Sequence, residues 1–442
     1  MISASLLRHA RDVVASTPAL VKLGRVRRVT GSLIEASVPD AQIGMLLEIS
    51  RGGAPVLAEV VGFQGELALI VPLDDIRGIA PGAFVRPSRR SSGVPVSPAV
   101  LGRVIDPFGR PLDGGPPIHP DALVPLERPA PPLASRARIQ QPFETGIRSI
   151  DALLPAGRGQ RVGLFAGAGV GKTVLIRQIA TQSRADVVVL GLVGERGGEV
   201  RDILETELGA NVVLVVATSD RTAMERARGA QSAVAVAEYF ADRGQNVLLV
   251  LDSLTRYAMA LREIGLAAGE PPATKGYPPS VFAALPRLLE RAAPFQSGGS
   301  ITAFFTVLVE GDDLSDPVAD SARSLLDGHV VLSRDLAARG HFPAVDVLAS
   351  ASRVARAVST PEALALADRA RAVLAGRKEV EELKSLGAYV PGQSAALDEA
   401  LELGGRVAEW SKQAPTERTE AAVARKVLAE LLAKPVSKRS AR

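Results

Sequence analysis

The sequence predicts an α/β protein in which a parallel-sheet domain lies between a small N-terminal β-barrel and a C-terminal helical domain. Arg161 to Ala180 has the pattern of a strand, a glycine-rich loop and an amphipathic helix. Nearly continuous apolar runs follow, which is typical of strands buried on both faces of a parallel sheet. These runs are Val187 to Val193, Val212 to Ala217, Val247 to Leu251 and Ile301 to Val309. The sequence is β-prone before this region and helical after it, which predicts domains at residues 20–90, 91–359 and 360–442.

The composition is that of a globular protein. Its 442 residues, 47% hydrophobic and 23% charged, are enough for about three domains. It has no cysteine, and its four histidines form no ligand-spaced cluster, so we expect neither disulfides nor a thiolate metal site. No run approaches the roughly 18 apolar residues of a membrane-spanning helix, and the first residues lack a signal-peptide pattern. The absence of cysteine fits a reducing, cytoplasmic setting. Apart from a short basic tail, the charges that give the net +4 are spread along the chain, so we expect no nucleic acid partner.

The N-terminal part predicts a helix, a barrel and a connector. Met1 to Ala15 places apolar residues on one helical face, so residues 1–19 are predicted as an amphipathic helix that docks on a partner, lies on anionic lipid or packs on its own domain. Residues 20–90 predict a small antiparallel barrel or sandwich, and we expect a barrel that serves oligomerisation. Its predicted strands are Gly24 to Val29, Ser32 to Val38, Val56 to Gly62 and Leu67 to Val71. Residues 91–142 are rich in Pro and Gly yet carry apolar residues, which indicates a connector packed onto the next domain.

The glycine-rich loop has the composition of a phosphate-binding loop. Its three glycines can adopt positive φ, so that consecutive backbone N–H groups converge at the positive end of the following helix dipole. Lys172 supplies a charge for the β- and γ-phosphates, and the Thr173 hydroxyl can coordinate Mg²⁺. The usual pattern has glycine where this chain has Ala166, which is tolerable if that residue keeps negative φ. A turn that only links a strand to a helix is the alternative. The predicted nucleotide-binding residues are Gly167, Ala168, Gly169, Val170, Gly171, Lys172 and Thr173.

Two acidic residues follow predicted strands downstream of this loop. Asp252 comes directly after Val247 to Leu251, as expected of a residue that orients Mg²⁺ through its water shell. Glu195 follows Gly191 to Gly194, where a carboxylate can polarise an attacking water. Either acid alone could instead cap a helix or be a solvated loop charge. Because the carboxyl ends of parallel strands share one edge of a sheet, we expect both acids beside the loop.

The last region is predicted to be helical. Thr360 and Pro361 form a favourable helix start, because a hydroxyl can cap the helix and proline is tolerated at its first position. Gly376 and Gly387 are expected to interrupt the helical pattern, which resumes from Glu420 to Leu432. A short basic tail runs from Lys434 to Arg442.

Four long segments carry a family resemblance. They are VGERGGEVRD (193–202), ATSDRTAMERAR (217–228), LDSLTRYAMALREIGLAAGEPPATKGYPPSVFAALPRLLERA (251–292) and EGDDLSDPVADSARSLLDGHVVLSR (310–334). Together with GAGVGKT they resemble the secretion ATPases of bacterial type III export systems, which are relatives of the F-type rotary ATPase catalytic subunits. The resemblance extends from about Gly24 into the C-terminal domain and implies a RecA-like P-loop NTPase core.

The resemblance also implies roles for particular residues. Glu195 would activate water, Arg256 would lie near the γ-phosphate, and Phe342, in HFPAVD, would lie beside the adenine. Arg353, in ASRVARA, matches an arginine finger that enters the neighbouring subunit's site. An arginine can equally be an ordinary surface ion-pair partner. Gly198 stands where the family often has arginine, so a charge near Glu195 is missing.

The function that the resemblance implies is ATP hydrolysis by a homohexamer that energises protein export, with ATP and Mg²⁺ as cofactors. The implied partners are a central stalk, a peripheral stalk or regulator at the N-terminus, secretion chaperones, export substrates, the export gate and the sorting platform. The implied location is the cytoplasmic face of the inner membrane. Val29 to Gly44 resembles the injectisome branch more than the flagellar one. The alternatives are a rotary proton-coupled ATPase subunit, a hexameric RNA translocase, whose barrel should present stacking aromatics, and a nucleotide-holding scaffold without catalysis.

Overall fold

The computed structural model describes residues 22–89, 92–204, 209–309, 313, 315–392 and 394–434. The predicted N-terminal helix and the basic tail beyond Lys434 lie outside the described residues. The chain divides into two compact units. The first comprises residues up to Ser92 together with Ile264–Glu270, and the second comprises Gly93–Glu263 and the residues from Pro271 onward.

The first unit contains a closed antiparallel barrel of six strands with the order β1-β2-β5-β4-β3-β6. Its strands are β1 Gly24–Thr30, β2 Leu33–Ser37, β3 Leu46–Ile49, β4 Val56–Gln64, β5 Leu67–Pro72 and β6 Phe84–Pro87. Aliphatic side chains such as Ile34, Leu47, Val60 and Ile70 fill its interior. The sequence predicted β1, β2, β4 and β5. It missed β3 and β6 because each has only four residues, too few to show an alternating pattern.

The second unit is built on an eight-stranded sheet with the order β18-β17-β12-β16-β15-β13-β14-β8. Its strands are β8 Val104–Ile105, β12 Arg161–Ala166, β13 Val187–Val193, β14 Val212–Ala217, β15 Asn246–Asp252, β16 Ser300–Leu308, β17 Gly328–Leu332 and β18 Val345–Ser352. Neighbouring strands run parallel except for β17 and β18, which run antiparallel. The predicted α/β class and its apolar strands are therefore confirmed. The connector also packs as predicted, since it supplies β8 at one edge of the sheet.

Two small sheets accompany the large one. They pair β7 Val94–Val96 with β9 Ala122–Val124, and β10 Pro142–Phe143 with β11 Ala156–Gly157. The helices before the C-terminal region are α1 Arg148–Leu153, α2 Lys172–Gln182, α3 Gly197–Leu204, α4 Ala223–Ala241, α5 Leu254–Ala267, α6 Pro279–Leu289, α7 Pro317–Leu325, α8 Arg334–Ala338 and α9 Ala355–Val358.

The C-terminal region contains α10 Pro361–Ser385, α11 Ala395–Ser411 and α12 Ala421–Ala433. Thr360 caps α10, since its side chain accepts a hydrogen bond from the Ala363 N–H, as the sequence predicted. The expected interruption at Gly376 is wrong, because α10 continues through it. A Cβ at Gly376 would lie 2.7 Å from the Ala400 Cβ, so this glycine allows α10 and α11 to approach closely. In the described part of the chain, no helix has the length and apolar character needed to span a bilayer.

Candidate nucleotide-binding site

The phosphate-binding loop connects the end of β12 to the start of α2. Ala166 is the last residue of β12 and does not have positive φ. This meets the condition under which alanine can replace the usual glycine at this position. Positive φ occurs at Gly169 (77°) and Gly171 (86°) but not at Gly167, so two of the three glycines make the turn. Gly171 then caps α2, whose first residue is Lys172. The N–H groups of this helix start therefore face a cleft of about 1130 Å³ that the loop lines.

Lys172, Glu195 and Asp252 converge at the carboxyl edge of the sheet. The Lys172 Nζ lies 2.6 Å from Asp252 Oδ1 and 3.3 Å from Glu195 Oε1. All three side chains are largely buried, at 10%, 7% and 2% exposure for Lys172, Glu195 and Asp252. The convergence follows from topology, because β13 and β15 are parallel neighbours and both acids stand at their carboxyl ends.

The charges of this trio perturb one another. Burial opposes the charge on Lys172, but the Asp252 and Glu195 carboxylates outweigh it and raise the pKa of the ammonium group. Burial, reinforced by the Asp252 carboxylate, raises the pKa of Glu195 to about 7. Two acids and one ammonium leave the cluster short of positive charge when both acids are ionised. The cleft is therefore suited to a ligand that brings a cation with it.

Two threonines that the sequence analysis missed organise the acidic side of the site. The Thr306 hydroxyl, fully buried on β16, donates to Asp252 Oδ1 at 2.6 Å. The Thr255 hydroxyl accepts a hydrogen bond from the Leu308 N–H at 2.8 Å. The signal for Thr306 was present, because it is a polar residue inside the otherwise apolar end of a buried strand.

Arg256 and Phe342 both lie near the loop. Arg256 lines the cleft, and its Nε is buried without a hydrogen-bond partner, which leaves a donor for a ligand. The Phe342 ring lies against the loop, since a Cβ built on Gly171 would be 3.3 Å from its Cδ1 and Cε1 atoms. The ring is 44% exposed and offers a flat apolar surface beside the loop. The peptide bonds Asp252-Ser253 and Phe342-Pro343 are cis.

Arg353 is not brought to this cleft. Because β17 is parallel to β12 and β18 is antiparallel to β17, β18 ends at the opposite edge of the sheet from the loop. There the Arg353 N–H donates to the Asp327 carbonyl at 3.0 Å, and the Asp327 N–H donates to the Arg161 carbonyl at 2.9 Å. Arg161 is the first of the six residues of β12, and a strand of that length spans roughly 20 Å. Arg353 therefore cannot contact a phosphate held by Lys172 of the same chain.

The C-terminal region also supports the site, through residues that belong to no sequence motif. Gln413 is 4% exposed, and its backbone N–H donates to the Phe342 carbonyl at 2.9 Å. Its side chain accepts from the Arg148 N–H at 2.8 Å and donates to the Gly146 carbonyl at 2.7 Å. On α2, Gln178 donates to the Ala414 carbonyl at 3.1 Å, and Gln182 to the Pro415 carbonyl at 3.0 Å.

Comparisons with known families agree with this architecture. Residues 146–352 match the nucleotide-binding domain of the ATP synthase alpha/beta family, and residues 26–89 match the beta-barrel domain of that family. Residues 359–430 match the T3SS EscN ATPase C-terminal domain. The fold and the site thus define a nucleotide-binding protein of the ATP synthase alpha/beta family.

Individual relatives narrow the assignment. The "Flagellum-specific ATP synthase" of Bacillus subtilis is 48% identical over 415 residues, which cover 92% of this chain and 94% of the relative. The "Type 3 secretion system ATPase" of Pseudomonas syringae pv. tomato is 49% identical over 409 residues, which cover 88% and 89%. The structure of the assembled ATPase EscN from enteropathogenic E. coli superimposes with a TM-score of 0.88 at 40% identity, covering 93% of this chain and 100% of that chain. The chain belongs to the family of type III secretion and flagellar export ATPases, and it is an ATPase.

Proposed function

We propose that this chain binds ATP in the Lys172 cleft and hydrolyses it to drive protein export through a type III secretion apparatus. Backbone N–H groups of the loop and the Lys172 ammonium hold the triphosphate, and the Phe342 ring contacts the adenine. Glu195 takes a proton from the attacking water, and the raised pKa of this carboxyl suits it to general-base catalysis near neutral pH. The unpaired Arg256 Nε donates toward the γ-phosphate.

The donor set of the cleft fits Mg²⁺. Thr173 and Asp252 offer the hard oxygen ligands that this ion prefers, and the trio of Lys172, Glu195 and Asp252 carries more negative than positive charge when both acids are ionised. Thr173 and Asp252 would hold the ion with the phosphates, where it supplies charge neutralisation. With Asp252 engaged by the ion, the Lys172 ammonium, which now pairs with Asp252, would be available to the phosphates.

The observation that carries this proposal is the separation of Arg353 from Lys172 by the length of β12. At the edge of the sheet opposite the phosphate-binding loop, an arginine finger can act in catalysis only if it enters the nucleotide site of another copy of the chain. We therefore propose a homohexameric ring in which each site is completed by Arg353 of the neighbour. The assembled state of the relative EscN supports the ring, and the complex of EscN with its central stalk EscO supports a stalk partner for this chain.

The remaining partners, location and boundaries belong to the same proposal. They are a peripheral stalk or regulator, secretion chaperones, export substrates, the export gate and the sorting platform, with the ring held at the inner membrane through the apparatus. The domain limits at residues 19, 90 and 359 stay predictions. Relatives from flagella and from secretion systems match at 46–49% identity, so the injectisome assignment rests on the resemblance of Val29 to Gly44.

A phosphate-release assay tests the ATPase chemistry. Lys172→Ala and Glu195→Gln should abolish turnover, whereas Lys426→Ala, which removes an exposed lysine on α12, should leave it unchanged. Glu195→Gln should still bind ATP, because the phosphate-holding groups stay in place. Turnover by Lys172→Ala at the rate of the parent would contradict the assignment of the site.

The dependence on assembly tests the shared site. An arginine supplied by a neighbour is worth about 10³ to 10⁵ in rate, so activity per subunit should rise with protein concentration as rings form. Arg353→Ala should bind ATP normally but turn over slowly, and the exposed Arg356→Ala three residues later should behave like the parent. Activity that is independent of oligomerisation would contradict the ring.

A further inference from the structure

A network of ion pairs joins β12 to the stretch that precedes β17. The Arg161 Nε lies 2.9 Å from Asp327 Oδ2 and its Nη2 lies 3.0 Å from Asp327 Oδ1, a bidentate pair. The Arg161 backbone N–H also donates to Asp327 Oδ2 at 3.1 Å. Glu290 pairs with the other side of the Arg161 guanidinium and with Arg136, the latter at 2.7 Å. The Arg161 and Asp327 side chains are 14% and 24% exposed, so the pair is sheltered and its geometry is fixed.

The same stretch holds Arg353 at two points. The Asp327 carbonyl accepts the Arg353 backbone N–H at 3.0 Å. The Arg353 Nη2 donates to the Arg323 carbonyl at 3.3 Å, in the last turn of α7, where the helix dipole favours a cation. Arg353 is therefore anchored to residues 323–327, and these are anchored to Arg161 at the beginning of β12.

The far ends of the two supporting elements lie at the chain's own nucleotide cleft. β12 ends at Ala166, where the phosphate-binding loop begins. α7 begins after Asp316, which caps it through the Val318 N–H at 3.0 Å and lines the cleft. One strand of roughly 20 Å and one helix of roughly 13 Å thus run from the cleft of the chain to the support of Arg353.

We propose that Arg161 and Asp327 are positioning residues for Arg353, and that β12 couples the nucleotide site of one subunit to the site that this subunit completes in its neighbour. The inference rests on the proposed function, in which Arg353 acts in the neighbouring site. Displacement of β12 by nucleotide at the loop is carried by the Arg161–Asp327 pair to the backbone that holds Arg353. A change at one nucleotide site can then reach the next site of the ring through β12 and Arg353 of the subunit between them.

Asp327→Asn tests the positioning role, because it keeps the shape of the side chain and removes its charge. A misplacement of about 1 Å can cost about 10²-fold in rate, so we expect kcat to fall by about 10- to 100-fold while KM for ATP changes little, since the residues that hold ATP are untouched. Asp242→Asn is the matched control. It breaks a more exposed arginine–aspartate pair, Arg128–Asp242, at 2.6 Å, and should leave both constants unchanged. A rise in KM without a fall in kcat would overturn the positioning role.

Mixed rings distinguish positioning of Arg353 from a general loss of structure. Asp327→Asn subunits keep an intact Lys172, and Lys172→Ala subunits keep the Arg161–Asp327 pair that supports Arg353. Random co-assembly in closed rings places the two in productive order at about one site in four, so the mixture should recover up to about a quarter of the parental rate per site. Recovery well above the activity of either variant alone supports the inference, since a subunit damaged in its own site would not be rescued by a neighbour.

A parallel mixture of Arg353→Ala with Lys172→Ala separates the two proposals. If that mixture recovers activity and the Asp327→Asn mixture does not, the positioning role is overturned while the shared site stands. If neither recovers, the proposed shared site fails and the inference falls with it. Should Asp327→Asn fail to fold, Arg161→Lys serves the same experiment, because it keeps the charge and loses the bidentate geometry.

Discussion

Replacing Gly171 by alanine tests how the phosphate-binding loop and the Phe342 ring fit together. Gly171 has a φ of 86°, and left-handed backbone costs a non-glycine residue about 1–2 kcal/mol. The added Cβ would also lie 3.3 Å from two ring atoms of Phe342, so the ring must give by a few tenths of an ångström. A ring pushed off its rotamer costs a further 0.5–1.5 kcal/mol or so, about 1.5–3.5 kcal/mol in all.

Gly169→Ala is the matched control for the backbone cost. Gly169 has a φ of 77°, and a Cβ there meets nothing within 4 Å. Urea titration should show that Gly169→Ala lowers the free energy of unfolding by about 1–2 kcal/mol and that Gly171→Ala lowers it by more. The difference reports the contact with Phe342 alone.

A double-mutant cycle with Phe342→Ala completes this experiment. Removing the ring should abolish the extra cost of Gly171→Ala and leave the cost of Gly169→Ala unchanged. Equal costs for the two glycine variants, or an excess that persists without the ring, would refute the packing of Phe342 on the loop. In ATP titrations, Gly171→Ala should weaken ATP by a larger factor than it weakens inorganic triphosphate, because only ATP has a base to contact the ring.

Two further substitutions probe buried polar groups. Thr306→Val removes a hydrogen bond to Asp252, and hydrogen bonds to charged groups are worth about 1.5–3 kcal/mol. The kcat measured in the phosphate-release assay should therefore fall by about tenfold or more. Thr302→Val, on the same face of β16, is the control, and it should lower thermal stability but not turnover. Burial lowers the pKa of His341 below its ordinary value of 6.5, so its contribution to stability is present above that pH and is lost as pH falls below it. The free energy of unfolding, measured by denaturant titration between about pH 7.5 and 5.5, should therefore vary less with pH in His341→Gln than in the parent. The control His119→Gln should show the same variation as the parent.

The sequence predicted most of the central sheet because parallel strands that are buried on both faces appear in a sequence as continuous apolar runs. Val187–Val193 and Val212–Ala217 were placed to the residue. The P-loop and the convergence of Glu195 with Asp252 followed from the rule that carboxyl ends of parallel strands share an edge. Local pattern and general topology were therefore enough for the centre of the site.

Contacts between distant parts of the chain could not be predicted from local sequence patterns. The interruption expected at Gly376 failed because glycine propensity describes an isolated helix, whereas here the missing side chain admits a neighbouring helix. The separation of Arg353 from Lys172 depends on the direction of β18, and no residue within that strand reveals its direction. Gln413 carries no motif, and its role exists only where the chain has brought it to Phe342.

The contacts of Gln413 connect the C-terminal helices to the candidate nucleotide site. The loop of residues 412–417 is bonded to the Phe342 carbonyl, to the start of α1 and, through Gln178 and Gln182, to the helix that Lys172 opens. These hydrogen bonds are buried or partly buried, and their polar groups would be costly to leave unpaired. Movement of α11 and α12 must therefore carry the Phe342 backbone and α2 with it, or break several hydrogen bonds at once. A partner that shifted these two helices would therefore displace the Phe342 segment and α2 together, and so change the shape of both sides of the cleft at once.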